Sequence, residues 1–573
     1  MSAVLTDNLP LLAGAPNGIK KLRELILELA VRGKLVPQDA SDEPASELLK
    51  RIAEEKARLV AEGKIKKARA TQEELAEASY EIPSSWAVAA LGQVVEIVRG
   101  ITFPASEKSK EPESDRVACL RTANVQDEIE WDDLLYIRES FVSRNDQYVE
   151  PHDIVMSMAN SRELVGKVAL IGSELKQKTT FGGFLGVLRP VLIEPRFVMA
   201  LLRTPHARSI LIDSASQTTN IANVSLAKLR PLPFAIPPLA EQHRIVAKVD
   251  ELMALCDRLE ARQADADSAH TQLVQALLGS LTQASDAADF AQSWQRLAEH
   301  FHTLFTTESS IDALKQTLLH LAVMGKLVPQ DPSDEPAGED LVKELAHQRN
   351  ELRRSGRIRE SKEAIDFSGL DEMKVCIPTN WNWVRMSEIA EVVRGGSPRP
   401  AGDPQFYGGD IPFLKVADIT AIKGKYLEGY SSTIKEAGLK KTRYIDAQTV
   451  LLTNSGATLG VPGICNFPAS FNDGVAAFIE KSDLVFDEYL YLYLKTLTKW
   501  FLTIASRGQG QPNLNTDIIK STWFALPPLA EQHRIVAKVD QLMALCDQLK
   551  ARLNQARQVH EHLASALVEQ AVA

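Results

Sequence analysis

The sequence predicts an α+β protein: two mixed α/β globules carried on long helices, with the whole plan written out twice along one chain. Three observations predict it. An ordered set of near-identical segments recurs at offsets of 290 to 295 residues. The recurring segments carry apolar residues at 4-3 spacing, the signature of long packed helices. Between them lie two stretches of short β-rich runs broken by turn residues, and these two stretches scarcely match each other.

Leu29 to Asp39 (LAVRGKLVPQD) returns as Leu321 to Asp331 (LAVMGKLVPQD), and Ile82 to Trp86 (IPSSW) as Ile377 to Trp381 (IPTNW). Glu96 to Gly100 (EIVRG) returns as Glu391 to Gly395 (EVVRG), and Pro237 to Asp250 is repeated unchanged as Pro527 to Asp540. Four matches in one order mean tandem duplication. From Pro237 to Arg262 only three of 26 positions differ from Pro527 to Arg552. Between the Trp and the Pro-Pro of each copy the sequences have diverged almost completely, so one framework is kept and one insert is changed.

The framework reads as helix. After the Pro-Pro, which suits an extended approach and a sharp helix start, apolar residues fall at Ile245, Val249, Leu252, Cys256, Leu259, Ala266, Leu273 and Leu277. The second copy keeps the seam through Ile535, Val539, Leu542, Cys546, Leu549, Leu553, Ala556, Leu563 and Leu567. His270 and His560 fall on it and read as register-fixing or hydrogen-bonded residues, not ligands. A shorter helix carrying Ile19, Leu22, Ile26 and Leu29 repeats as Ile311, Leu314, Leu318 and Leu321, with Gly33 and Gly325 placed to end it. Residues 284–310 and 353–372 are polar and read as loops or frayed helix. The segments are then 1–81 (helical), 82–236 (first globule), 237–352 (central helices), 353–526 (linker and second globule) and 527–573 (C-terminal helix).

Composition bounds the function. The chain has 573 residues, 45% hydrophobic and 24% charged, which is ordinary for folded domains. Its cysteines, at 119, 256, 376, 465 and 546, form no C-x-x-C and no zinc-spaced cluster, so no metal site is expected and a reducing, cytoplasmic setting is. No signal-like N-terminus and no run of 18 apolar residues is seen; Tyr489 to Ala505, interrupted by Lys495 and Lys499, reads as an amphipathic helix. Neither G-x-x-x-x-G-K-[ST], H-E-x-x-H nor G-x-S-x-G occurs. The Asn/Asp-Pro-Pro-aromatic motif of amine methylation and any Pro-Asp start of a nuclease motif are missing too. The usual means of spending ATP, cutting phosphodiesters or moving methyl groups are thus lacking, and no catalytic residue is assigned.

The inserts offer instead the loop-borne polar chemistry that reads bases. The first carries Arg99, Arg121, Asn124, Asn160, Ser161, Arg162, Lys167, Thr219, Asn220 and Asn223; the second carries Arg394, Arg399, Lys415, Asn454, Ser455, Thr458, Arg507, Gln509, Gln511 and Asn513. Arg and Lys pair with guanine, Asn and Gln with adenine, while Ser, Thr and backbone N–H groups take phosphates. Each residue alone could be a turn former; four clusters at matched places in two inserts point to DNA. The net charge of −10 opposes that partner when spread over the whole chain, but residues 86–232 hold 17 basic and 18 acidic residues and residues 381–526 hold 15 and 14. All the acidity therefore belongs to the framework, and the readers are neutral with local basic loops.

On these residues the chain resembles the specificity subunit of type I restriction-modification enzymes. Carrying the resemblance are Pro237 to Gln242 and its copy Pro527 to Gln532, Arg394 to Pro398, Phe406 to Pro412, and the Leu-Val-Pro-Gln-Asp segments, in the family's order over essentially the whole chain. It implies two target-recognition domains, each reading half of an asymmetric, split DNA sequence, held in pseudo-two-fold symmetry by long antiparallel coiled-coil helices. It implies two modification subunits that bind S-adenosylmethionine and methylate adenine, and restriction subunits that use ATP and Mg; no cofactor falls to this chain. Glu241, Gln242, Ile245, Val249 and Leu252, with Glu531, Gln532, Ile535, Val539 and Leu542, are then candidates for partner docking or the helix seam. A helix from Leu239 to Leu281 spans roughly 65 Å at about 1.5 Å per residue, which suits half-sites about one DNA turn apart. Relative to a minimal member, about 80 residues precede Ile82, and the extra helix is expected to pack near the C-terminal one. A duplicated DNA-binding regulator and an assembly scaffold are the alternatives.

Overall fold

The computed structural model describes residues 9–66, 81–161, 164–214, 216–218, 221–225, 229–284, 287–358, 374–446, 448–505 and 513–572. They form two compact units, one from residues 1–266 with 556–573 and the other from residues 267–555. The helical framework comprises α1 (Gly18–Val31), α2 (Ala45–Ala61), α3 (Leu239–Gln283), α4 (Glu308–Val323), α5 (Gly338–Arg354) and α6 (Leu529–Val572). The first unit contains α1, α2, most of α3 and the end of α6; the second contains the end of α3, then α4, α5 and most of α6.

Both long helices form where expected, and their first turns bury Ile245, Val249, Leu252 and Cys256, and Ile535, Val539 and Cys546; Leu542 is half-buried. Further along, the seam differs from the 4-3 reading. Leu273 is 52% exposed and Leu563 50%, while their neighbours Val274 and Ala564 are buried. The reason is helical pitch. Eighteen residues separate Cys256 from Val274, and Cys546 from Ala564, which is five turns of a helix at about 3.6 residues per turn, whereas a strict heptad would place the seam one residue earlier. Val274, Leu278 and Leu281 join the core of the second unit with Leu304, Ile311 and Leu314. Ala564 joins that of the first with Leu12, Leu22 and Ile26, and Lys21 Nζ donates to Ser565 Oγ (2.8 Å). The N-terminal helix thus packs against the C-terminal one, as expected.

Gly33 and Gly325 end α1 and α4 with φ of +70° and +69°, and a Cβ at either would lie 2.5 Å from the ring of Pro83 or Pro378. Left-handed backbone and close approach both demand glycine there. Residues 287–304 are helical despite their polar composition. They hold helices Ala287–Glu299 and Phe301–Leu304, which bury Leu297 and Leu304. His270 Nε2 meets the carbonyl of Thr303 at 3.2 Å, a hydrogen-bonded seam histidine.

The first insert folds into β1 (Ala87–Ala90), β2 (Val95–Arg99), β3 (Arg116–Leu120), β4 (Leu135–Arg138), β5 (Ile154–Ser157), β6 (Ala159–Asn160), β7 (Val168–Leu170), β8 (Thr179–Phe181), β9 (Leu185–Pro190), β10 (Ser216–Thr218), β11 (Ile221–Asn223) and β12 (Pro233–Ile236). The second gives β13 (Asn382–Arg385), β14 (Glu391–Arg394), β15 (Tyr407–Leu414), β16 (Thr433–Ile434), β17 (Arg443–Ile445), β18 (Thr449–Thr453), β19 (Pro462–Cys465), β20 (Ala469–Phe471), β21 (Val475–Ile479) and β22 (Trp523–Leu526). Despite their divergent sequences the two share one plan. The order β2-β9-β5-β7 matches β14-β21-β18-β19, with antiparallel neighbours throughout. A second sheet holds a parallel pair in each, β3 with β8 and β15 with β20. Central strands such as β5 and β18 are buried along their length, which explains their unbroken apolar runs. The first and last strands of each insert pair antiparallel, Ala87 opposite Ile236 and Asn382 opposite Leu526, so each globule begins and ends at one point. Tyr489 to Ala505 lies in helix Asp487–Ala505. Among the described residues no helix is long and apolar enough to cross a membrane.

Candidate nucleic-acid interface

Each globule is fastened to its long helix by the same latch. Glu241 is fully buried and accepts from Trp86 Nε1 (3.0 Å) and Gln38 Nε2 (2.7 Å). Glu531, equally buried, accepts from Trp381 Nε1 (2.8 Å) and Gln330 Nε2 (2.6 Å). Burial pushes both carboxyls above the ordinary carboxylate range, against the pull of those donors. Gln242 donates to Pro237 O (2.9 Å) and accepts from Glu194 N (2.9 Å). Gln532 donates to Pro527 O (2.9 Å) and Leu484 O (2.8 Å) and accepts from Phe486 N (2.8 Å). Arg244 pairs with Asp42 and Arg534 with Asp334, each at 2.6 Å. The four latch residues, singled out as candidates for docking or seam, face inward and spend their polar atoms within their own unit. The second proline of each pair accepts from the helix through its carbonyl, Pro238 O from Gln242 N and Pro528 O from Gln532 N, while the first lies one residue too early and its carbonyl is taken up by the glutamine side chain.

A second fastening, absent from the sequence reading, is a charge triad. Lys56 on α2 donates to Gly92 O (2.8 Å) and Val95 O (2.9 Å), beside Glu96 and Arg230. At the matching places in the other unit, Arg349 on α5 lies 3.6 Å from Glu391, and Lys520 lies 3.6 Å from that same carboxylate. Burial lowers the pKa of both Lys56 and Arg349. Overlaying the two copies would have revealed the triad, since cation, anion and cation recur at 56/349, 96/391 and 230/520.

Beyond these fastenings, the ends of β2, β3 and β8 converge on a cleft of about 630 Å³ lined by Arg99, Lys108, Arg121, Met158, Phe184 and Asn223. In the second unit the ends of β15 and β20 and the loop after β14 border a cleft of about 530 Å³ lined by Ser397, Arg399, Tyr407, Lys415, Ser432 and Asn472. Arg121 and Lys415 occupy the same place in the two folds. Each begins a single helical turn, with its backbone N–H bonded to the side chain three residues on, Asn124 (2.9 Å) or Asp418 (2.7 Å).

The structure sorts the remaining candidates. Asn124 is 2% exposed and its amide serves Glu130 O and Asp133 O; it builds the turn and offers no reading edge. Asn454, directly after β18, is fully buried and likewise presents no surface to DNA. Arg99 and Arg399 are exposed at their clefts. Arg121 is held by Asp133 (2.6 Å), Lys415 by Ser432 (2.8 Å), Lys167 by Gln126 (2.6 Å) and Arg394 by Asp473 O (2.5 Å). Asn160 lies in β6 paired with β11, which carries Asn223; Ser161 is exposed beside it. Ser455 and Asn513 form a bridge, with Thr458 exposed nearby in the chain. Arg162, Thr219, Asn220, Arg507, Gln509 and Gln511 lie outside the described residues. No group of three or more His, Cys, Asp or Glu among the described residues could hold a metal ion.

Residues 83–266 and 378–557 match the family model of the type I restriction modification DNA specificity domain. The chain belongs to that family. It is 36% identical over 584 aligned positions to the type I restriction enzyme EcoEI specificity subunit of Escherichia coli, covering 97% of this chain and 94% of the relative. The EcoAI specificity subunit of the same species is 35% identical over the same shares of the two chains. Among solved structures, the HsdS subunit from Thermoanaerobacter tengcongensis aligns with 87% of this chain and 98% of its own, at 19% identity and a TM-score of 0.41. As a specificity subunit the protein serves DNA recognition and is not itself the enzyme, and its two matched segments each contain one of the clefts.

Proposed function

We propose that this chain reads an asymmetric, two-part DNA target, one half per globule, for a type I restriction-modification complex of the cytoplasm. The observation that carries the reading is the pair of clefts: one strand plan twice, opening between corresponding strand ends, lined by different side chains. Corresponding geometry addresses corresponding places on two half-sites; different linings make the half-sites different sequences. Residues 82–236 and 353–526 are the readers. The long helices set the half-site spacing and dock two modification subunits, which carry S-adenosylmethionine, and the restriction subunits bring ATP and Mg. Neutral readers bind DNA weakly alone, so the partners supply much of the phosphate neutralisation.

The test is to sequence methylated adenines in cells expressing the chain with its modification subunits. An interrupted motif with two unlike halves is expected. A continuous or palindromic motif overturns the reading, and so does methyl transfer by the purified chain alone. Tight promoter binding without partners would make it a regulator instead.

A further inference from the structure

An aromatic side chain in the first cleft is left without a structural role. Phe184 is 67% exposed, yet its backbone is pinned from several sides. Its carbonyl accepts from Met158 N (2.8 Å) and Ala159 N (3.3 Å), and Leu185 N closes the turn onto Gly182 O (2.8 Å). The two glycines before it permit the close packing: a Cβ on Gly183 would lie 3.0 Å from Thr102 Oγ1, and one on the facing Gly100 would lie 2.1 Å from Gly182 O. A large ring thus stands in solvent on a loop with little freedom to lose, the arrangement that binds at low entropic cost. Around it the cleft has apolar walls of Ile101, Phe103 and Met158 and the cations Arg99, Lys108 and Arg121.

We propose that Phe184 is a specificity-determining residue of the first reader and that it contacts the C5-methyl group of a thymine in the major groove. The inference rests on the reading of the clefts as DNA-binding. The ring has no hydrogen-bonding group, and the thymine methyl is the apolar feature that a base pair presents in the major groove. The surrounding cations suit phosphates, which position the protein but carry no sequence. The second reader has the same junction without the ring. There Asn454 N bonds Gly474 O (2.9 Å) and Leu514 N bonds Asn454 O (2.7 Å), matching Met158 N to Phe184 O and Val224 N to Met158 O (both 2.8 Å). Glycine stands where Phe184 stands, and a Cβ on it would lie 2.7 Å from Val416 Cγ2. Methyl reading by this loop therefore belongs to one half of the target.

The experiment uses the chain assembled with its modification subunits and the target found by methylation sequencing, the halves being assigned by exchanging the second insert. Thymidines in the first half-site are replaced one at a time by deoxyuridine, which removes only the methyl group. At one position the wild-type complex should lose about fourfold in affinity, the worth of one buried methyl. Phe184→Ala should bind the thymidine duplex about as weakly and be indifferent to deoxyuridine there, with Phe184→Leu intermediate and the second half-site unaffected. Deoxyuridine tolerated at every position of that half overturns the proposal, as does undiminished methyl sensitivity in Phe184→Ala. Absence of any two-part motif would instead overturn the functional reading, and this inference with it.

Discussion

The opening turns of α3 and α6 and the clefts beyond them have had opposite histories within one chain. The two latches are the same residues at nearly the same distances, Trp86 to Glu241 at 3.0 Å and Trp381 to Glu531 at 2.8 Å. The cleft linings share a strand plan and little else. Duplication has held fixed the groups that fasten a globule and released those that line its cleft. The β1–β12 and β13–β22 closures make this physically possible, because a globule whose chain enters and leaves at one antiparallel pair can change inside without disturbing its base. The sharpest test is therefore to replace residues 381–526 with the corresponding insert of another family member. One half of the methylated motif should change completely and the other remain; a change in both, or in neither, breaks the comparison.

How far the sequence revealed this follows the same division. The framework was legible because its signals are local and duplicated: Gly33 and Gly325, the helix starts after Pro-Pro, the apolar faces of α1 and α4. What misled was periodicity carried too far, since 4-3 spacing chose Leu273 and Leu563 where helical pitch buries Val274 and Ala564. In the globules, residue type alone could not separate Arg99, exposed at a cleft, from Asn124 and Asn454, which are polar but buried. Phe184 was missed because polarity was the criterion. Its signal was an aromatic residue directly after Gly-Gly between two apolar runs.

The latches themselves can be compared by truncation. Gln532 serves three backbone groups and Gln242 two. Gln532→Ala should destabilise its unit by about 3 kcal/mol or more, since each of the three buried backbone groups left unpaired costs about 1–3 kcal/mol. Gln242→Ala should cost less. Hydrogen exchange of the two units in each variant reads the difference, and equal losses would mean that the extra bond to Leu484 contributes nothing.

The triads should part company more subtly. Lys56 satisfies two carbonyls, so Lys56→Met should cost about 1–2 kcal/mol. Arg349 leaves Nε and Nη1 without partners, so burial of its charge is poorly compensated, and Arg349→Met should be neutral or mildly stabilising. Thermal unfolding of the two variants checks the contrast; a large loss in Arg349→Met would show that its 3.6 Å pairing with Glu391 outweighs desolvation.

The smallest effect is in pH, where the two latches should behave alike. Burial raises the pKa of Glu241 and Glu531 above their unfolded values. Between the unfolded and folded pKa the native state holds more protons than the unfolded one, so stability falls as pH rises through that interval. The contribution of each carboxyl is fully present below its unfolded pKa and lost once pH passes the folded one. Glu241→Gln and Glu531→Gln remove the titration while keeping one acceptor for the indole. Each substitution should therefore flatten the fall in stability between weakly acidic and neutral pH by a similar amount, as measured by denaturant unfolding across that range. If only one did so, the two latches would share geometry but not electrostatics, and the framework would be less faithfully duplicated than its distances indicate.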